Sequence, residues 1–417
     1  MRISQFLIPF VFLFNLFAFS QVASETTPPL DIKTITFKGN TDVSMLPILN
    51  LGEPLTLEFD VLNGNEADFY YTIKHFNYDW TPSSLMRQEY IDGFDKQRIV
   101  NYENSYNTFQ IFSHYMLTIP NDQVRQLKVS GNYMIFVYNE DDELMFSRKF
   151  MINEGGANVG VSIKRSRDVT FVNEKQTVDI TINSNNIQFT NPKQTVKTSI
   201  IQNNNLKSSI NNIEPMYTMG NTLTYKYTNE TSFWAGNEYF YFENKDVRVA
   251  NTGVNFVDLQ DIYHSYLYTN EVRKHRPYTY NPDINGNFVI NTINGTDPNI
   301  EADYTYVHFS LASNEFPLNK SVHVFGNFNN YEVNNETKMT YNQNKGIYEG
   351  TLLLKQGFYN YKFVTKDESN QVDEGEIGGN FYQTENDYKV IVYYRELGGR
   401  YDKIIGLGEA SSVNISN

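Results

Sequence analysis

The chain has no cysteine, so none of its 417 residues can be tied by a disulfide or hold a metal through a thiolate. Histidine is sparse, and His75, His114, His264, His275, His308 and His323 are scattered without a His-Glu-x-x-His pair. A Gly-x-x-x-x-Gly-Lys phosphate loop and a Gly-x-Ser-x-Gly nucleophile elbow are both missing, and NEDDE at 139–143 lacks the spacing of a calcium loop. Basic residues are in deficit, 34 against 48 acidic ones, for a net charge of −14 and a pI near 5.0. That balance argues against nucleic acid, whose phosphates demand basic patches, and disfavours anionic lipid. Carboxylates are too common in such a chain for a glycosidase dyad to be picked out. The sequence therefore assigns no catalytic residue, no metal ligand and no cofactor, and a non-enzyme is expected.

Long hydrophobic runs are also scarce. Met1-Arg2 precedes the apolar stretch FLIPFVFLFNLFAF, too short to span a bilayer comfortably, and Ala18 and Ser20 supply the small residues of a cleavage site. Residues 1–20 are thus expected to be a signal peptide, leaving Gln21 at the new N-terminus and 21–30 as a linker. No cysteine stands there for a lipid anchor. Later stretches all fall short of the ~18 apolar residues of a membrane helix.

What the chain has in abundance is aromatic residues, 31 tyrosines and 30 phenylalanines, which suit pleated, half-buried surfaces. Short segments alternate apolar and polar, the signature of antiparallel sheet with one wet face. In LTLEFDV, Leu55, Leu57, Phe59 and Val61 share one face, and Thr56, Glu58 and Asp60 the other. Asp141-Asp142 is placed for a tight hairpin turn. The fold class expected is all-β, with tandem antiparallel β-sandwiches. The first spans 31–152 and ends at the glycine-rich NEGGANVG, a middle β domain spans 153–300, and an immunoglobulin-like sandwich spans 301–395. In the last, Asn344 to Gly346 and Gln356-Gly357 sit where hairpin turns are needed, and 396–417 is expected to be a docked or flexible tail.

The stretch HFNYDWTPSSLMRQEY, 75–90, gathers His, Asp, Glu, Ser, Arg and Trp within one turn of chain. The period of the preceding strand puts His75 on the face of Phe69, Tyr71 and Ile73, in or along a core. Pro82-Ser83-Ser84 is expected to start a helix, with Asp79 or Ser83 capping backbone N–H groups. Three triad residue types crowded into nine positions cannot readily reach triad geometry. The reading is a structural corner with Trp80 and Tyr90 as packing anchors.

In the third domain, SVHVFGNFNNY and GFYNYKFVTKD resemble the immunoglobulin-like sandwich of glycogen- and starch-binding modules, through Gly326, Phe328, Tyr359, Tyr361, Lys362 and Phe363. Tyr331 stands where those modules carry a stacking tryptophan, and no tryptophan follows Lys362. The resemblance implies the fold. Carbohydrate contact through Phe328, Tyr331 and Lys362 is the alternative function.

Four ordered blocks, IKHFNYDWTPSSLMRQEYIDGF, NYENSYNTFQIFSHYMLTIPN, SGNYMIFVYNEDDE and YYRELGGRYDKIIG, resemble the type IX secretion system plug family of Bacteroidota. Trp80, Pro82, Tyr90 and Gly93 are the hallmark positions of the first block; Phe76 departs from a cysteine expected in many relatives. The resemblance implies an exported, periplasmic protein at the inner face of the outer membrane, monomeric when free. It implies occlusion of the translocon barrel SprA when that barrel is not engaged with PorV, with no chemistry performed.

Overall fold

The computed structural model describes residues 22–39, 45–313, 319–413 and 415; the expected leader at 1–20 lies outside them. Strands are the dominant regular structure of the described chain, and helices are confined to single turns; the strands form three sandwiches.

The first sandwich comprises β1 (Ile32–Lys38), β2 (Leu55–Leu62), β3 (Tyr70–Phe76), a four-residue helix α1 (Arg87–Tyr90), β4 (Asn101–Asn104), β5 (Phe112–Ile119), β6 (Gly131–Tyr138) and β7 (Leu144–Asn153). One sheet runs β1-β2-β5-β4; β3, β6 and β7 form one half of a nine-stranded sheet facing it. The alternating residues of β2 meet those of β6 and β7 in an aromatic core, where Phe59 stacks on Tyr115 at 5.1 Å and Tyr133 on Phe150 at 5.3 Å. The β6–β7 hairpin turns at Asp141-Asp142 as its sequence predicts, with Asp142 at φ +66° and the Asn139 carboxamide oxygen accepting from Asp141 N and Glu143 N.

The middle sandwich adds β8 (Asn158–Arg165), β9 (Lys175–Asn183), β10 (Val196–Gln202), β11 (Asn205–Ile213), β12 (Thr222–Tyr225) and β13 (Ser232–Trp234). Its smaller sheet centres on β9, flanked by β8 on one side and by β12 and β13 on the other. The third sandwich contains β14 (Phe240–Glu243), β15 (Val254–Leu259), β16 (Tyr263–Leu267), β17 (Phe288–Ile290), β18 (Tyr304–Ala312), β19 (Ser321–Phe325), β20 (Ile347–Lys355), β21 (Gly357–Lys366) and the short helix α2 (Gly375–Gly378). Two strands close the chain, β22 (Asp387–Tyr394) and β23 (Lys403–Ser411).

The sheets cross the boundaries expected from sequence. β14 and β17 pair with β21, and β16 pairs in parallel with β18, so residues 240–290 build the third sandwich rather than the middle one. β22 leaves the third sandwich for the nine-stranded sheet, whose order is β11-β10-β22-β23-β7-β6-β3, with the short strands Gln97–Arg98 beyond β3 and Ile48–Asn50 beside β7. Its run VIVYY is apolar throughout because both faces are covered: Val390 and Val392 pack into the middle sandwich, Ile391 and Tyr393 against Leu46 and Met151. The residues expected to be a tail supply β23, which joins the two halves of that sheet. Ile404 lies opposite Asn153 of β7, and Ile404 O and Ile405 O accept from Glu154 N and Ala157 N. At Gln356 the chain passes from one sheet of the third sandwich to the other instead of folding back as a hairpin; the Gln356 side chain accepts from Asp303 N at 2.7 Å and donates to Lys245 O at 2.9 Å.

Residues 22–30, expected as a linker, form a strap. Ala23 N donates to Trp80 O, Thr26 N to Ser147 Oγ, and the Glu25 carboxylate accepts from Lys149 N and Asn330 Nδ2.

Candidate functional site

The corner at 75–90 is held by two parts of the chain. After β3 the backbone turns on itself: Asn77 N donates to Thr81 O, Trp80 N to Asn77 O, and the Asp79 carboxylate accepts from Thr81 N and Thr81 Oγ1. Trp80 sits at φ +62°, a left-handed conformation that costs a bulky residue about 1–2 kcal/mol and persists only where its surroundings over-determine it. Those surroundings come from the C-terminal hairpin. Asp402, just before β23, accepts from Tyr78 N at 3.0 Å and from Arg395 Nε and Nη2 at 2.9 and 2.7 Å, while Arg395 Nη2 also donates to Asn77 Oδ1 at 2.8 Å. Asn132 of β6 donates to Asn77 O and accepts from Tyr393 OH. Lys149 Nζ lies 4.3 Å from the Trp80 ring centroid, a cation–π contact.

His75 is buried among Tyr90, Tyr133 and Tyr401, and its Nε2 donates to Ser130 O at 3.1 Å. Burial pushes its pKa down to about 4, so the ring is neutral at pH 7 and serves as a core side chain. The expected helix start is displaced. Pro82 is exposed and bridges Phe76; Asp79 and Ser83 each hold a backbone N–H as expected, of Thr81 and Leu85, but α1 begins five residues after Pro82, where the Glu89 carboxylate accepts from Met86 N. The reason is that Asp79 and Thr81 satisfy each other inside the turn. Tyr90 is buried, and Gly93 passes so close to the neighbouring strand that a Cβ would lie 2.3 Å from Gln123 O.

A second charged centre lies between the first and third sandwiches. Asp60, read from its alternation as facing water, is instead covered by the third sandwich. It accepts from Lys355 Nζ at 2.6 Å and Tyr304 OH at 2.7 Å through Oδ2, and pairs with His114 Nδ1 at 2.7 Å through Oδ1. Lys355 Nζ also donates to Asn299 O and lies 4.0 Å from the Phe112 ring centroid. Burial pushes the Asp60 carboxyl up, but Lys355 and His114 together outweigh it and hold the group below its usual range. Nearby, Asp303 accepts from Phe109 N and Gln110 N across the same joint. Sequence reasoning missed this centre; its trace was Asp60 beside Glu58 in the apolar run LTLEFDVL and a lone lysine closing TLLLK.

The carbohydrate candidates do not form an open platform. Tyr331 is 3% exposed, its ring against Phe325 and its hydroxyl donating to Asn203 O, so neither ring face is offered to a sugar. Lys362 is paired with Glu374 at 2.5 Å and lies over the Tyr239 ring, and Phe328 packs edge-on against Tyr359. Tyr331 ties the third sandwich to the middle one, while the Lys362 and Phe328 contacts lie within the third.

Fold and joints define an all-β protein of locked sandwiches, with no helix among the described residues long and apolar enough to cross a membrane. Residues 32–154 match the family described as Type 9 secretion system plug protein 1st domain. The crystal structure of a hypothetical protein from Parabacteroides merdae is similar at TM-score 0.88 and 35% identity, over 93% of this chain and 98% of that one. The chain belongs to the type IX secretion system plug family. Membership implies a plug role in type IX secretion, association with the secretion machinery and a periplasmic, outer-membrane-associated location. Two other solved structures carry no argument: the Pseudomonas fluorescens DNA glycosylase AlkC (TM-score 0.17, 14% identity, 29% of this chain and 30% of that one) and an ICAM-5 ectodomain fragment (TM-score 0.15, 8% identity, 90% and 76%). No curated protein matches.

Proposed function

We propose that this protein, exported by its N-terminal leader, occludes the periplasmic opening of the SprA barrel while PorV is not engaged, and that it does so as one rigid body without catalysis. The observation that carries this reading is the buried Asp60–Lys355 joint, which fastens the third sandwich to the first. Size makes the rigidity matter. A barrel of about 36 strands at ~4.8 Å spacing and ~40° tilt encloses an opening roughly 70 Å across. One sandwich of ~100 residues is about 35 Å in diameter and would leak. Three sandwiches that cannot swing apart cover a lumen narrowed by inward loops.

The test uses a strain that keeps the barrel but lacks PorV. Tagged barrel is expected to co-purify with this protein, and deleting the protein is expected to admit large hydrophilic dyes and antibiotics. Unchanged uptake would overturn the reading.

A further inference from the structure

A cavity of about 730 Å³ opens between the middle and third sandwiches, within the ~300–1,000 Å³ of small-molecule sites. We propose that it binds a neutral oligosaccharide, stacked on Trp234 and hydrogen-bonded by Asp367, Asp373 and Asn380.

Trp234 ends β13 on the cavity wall and is 48% exposed. Its ring is fixed before a ligand arrives. Phe171 meets it edge-on at 5.3 Å, Lys175 Nζ lies 4.2 Å from its centroid, and Gln202 Nε2 donates to its carbonyl. A braced, half-open indole suits the C–H face of a pyranose, since little side-chain freedom is lost on stacking.

The polar groups are braced in the same way. Asp373 Oδ1 accepts from Gly375 N and Glu376 N, and Asp367 Oδ1 from Gln371 N, leaving the second oxygen of each carboxylate for ligand hydroxyls. Asn380 Oδ1 accepts from Gly236 N, which leaves its NH₂ as a donor. Gly375 makes room for that amide, because a Cβ there would lie 2.1 Å from Asn380 Nδ2.

Charge narrows the ligand class. The wall carries three lysines against five carboxylates, and two of the lysines, Lys320 and Lys362, are already paired with Glu376 and Glu374. A phosphate or uronate would meet net negative charge, and a lipid chain would leave these polar groups without partners. A neutral, hydroxyl-rich ligand satisfies both donors and acceptors.

The test is calorimetric titration of the purified full chain with N-acetylchitotriose and with maltotriose. Fluorescence of a Trp80→Phe variant serves as the second readout, since Trp80 and Trp234 are the chain's two tryptophans. Saturable binding of at least one trisaccharide is expected, weakened at least tenfold by Trp234→Ala and severalfold by Asp367→Asn, with unfolding midpoints of the variants near that of the parent. Three results would each overturn the proposal: no saturation by either sugar at about 20 mM, weaker than any useful site; equal binding by both variants; or saturation only by inorganic phosphate or a lysine-rich peptide.

Discussion

Lys355 Nζ lies 2.6 Å from Asp60 Oδ2, across 295 positions of sequence, and both side chains are 1% exposed. Two groups that each cost several kcal/mol to desolvate are retained because His114, Tyr304 and Asn299 satisfy what remains of their hydrogen-bonding capacity. Removing one partner is therefore worse than removing both. Lys355→Met is expected to lower stability by about 3–5 kcal/mol, and adding Asp60→Asn to recover part of it. Urea unfolding of the two single variants and the double variant measures the coupling. Strict additivity would mean that the pair does not act as a unit.

Glu238 and Asp283 give stability a pH dependence of unusual sign. Burial pushes Glu238 from 4.5 up to about 7, against hydrogen bonds from Tyr278 and Glu385 N, and burial likewise pushes Asp283 from 3.8 up to about 6. Both folded-state values lie above the unfolded ones, so the folded state binds protons more tightly. Their contribution is fully present below about pH 4 and lost as pH rises to about 7. Glu238→Gln is expected to flatten the fall in melting temperature between pH 5 and 8. A parent and variant with parallel pH profiles would refute this.

Gly93→Ala is expected to destabilise the protein by about 1–3 kcal/mol, since the added methyl meets the Gln123 carbonyl oxygen, a backbone atom, and the strands must part. Thermal unfolding followed by circular dichroism measures it. A midpoint equal to the parent's would show that the two strands part without cost.

Truncation before Lys403 is expected to abolish cooperative unfolding, whereas truncation after Ser412 is expected to be tolerated. The first removes β23 from between β22 and β7 and exposes the edges of both. Far-ultraviolet circular dichroism of the two truncations distinguishes them.

The strands were legible where one face meets a core and the other meets water: the period-2 pattern of β2 and the turn at Asp141-Asp142 are both found in place. Asp60 shows where that logic ends. A polar residue on the second face of a strand reads the same whether it meets water or a neighbouring sandwich, and only Lys355, far along the chain, decides which. The boundaries were misplaced for the same reason. Local alternation marks a strand without naming its partner, and β14 and β22 pair outside the segments in which they were expected. Trp80 and Tyr90 were placed in a structural corner, but the hairpin that braces it, through Arg395 and Asp402, follows more than 300 residues later. Tyr331 was left open as an alternative sugar contact because an aromatic at a loop tip looks the same in sequence whether it is free or clasped by another domain.

β23 lies in the middle of the widest sheet and is made after every other described strand of that sheet. Until it arrives, the halves flanking it lack the ladder that joins them, and closing the sheet brings together residues from opposite ends of the chain. The joint between the first and middle sandwiches therefore hardens only after both of its halves have been made, and it is late closure that turns separate sheets into one body.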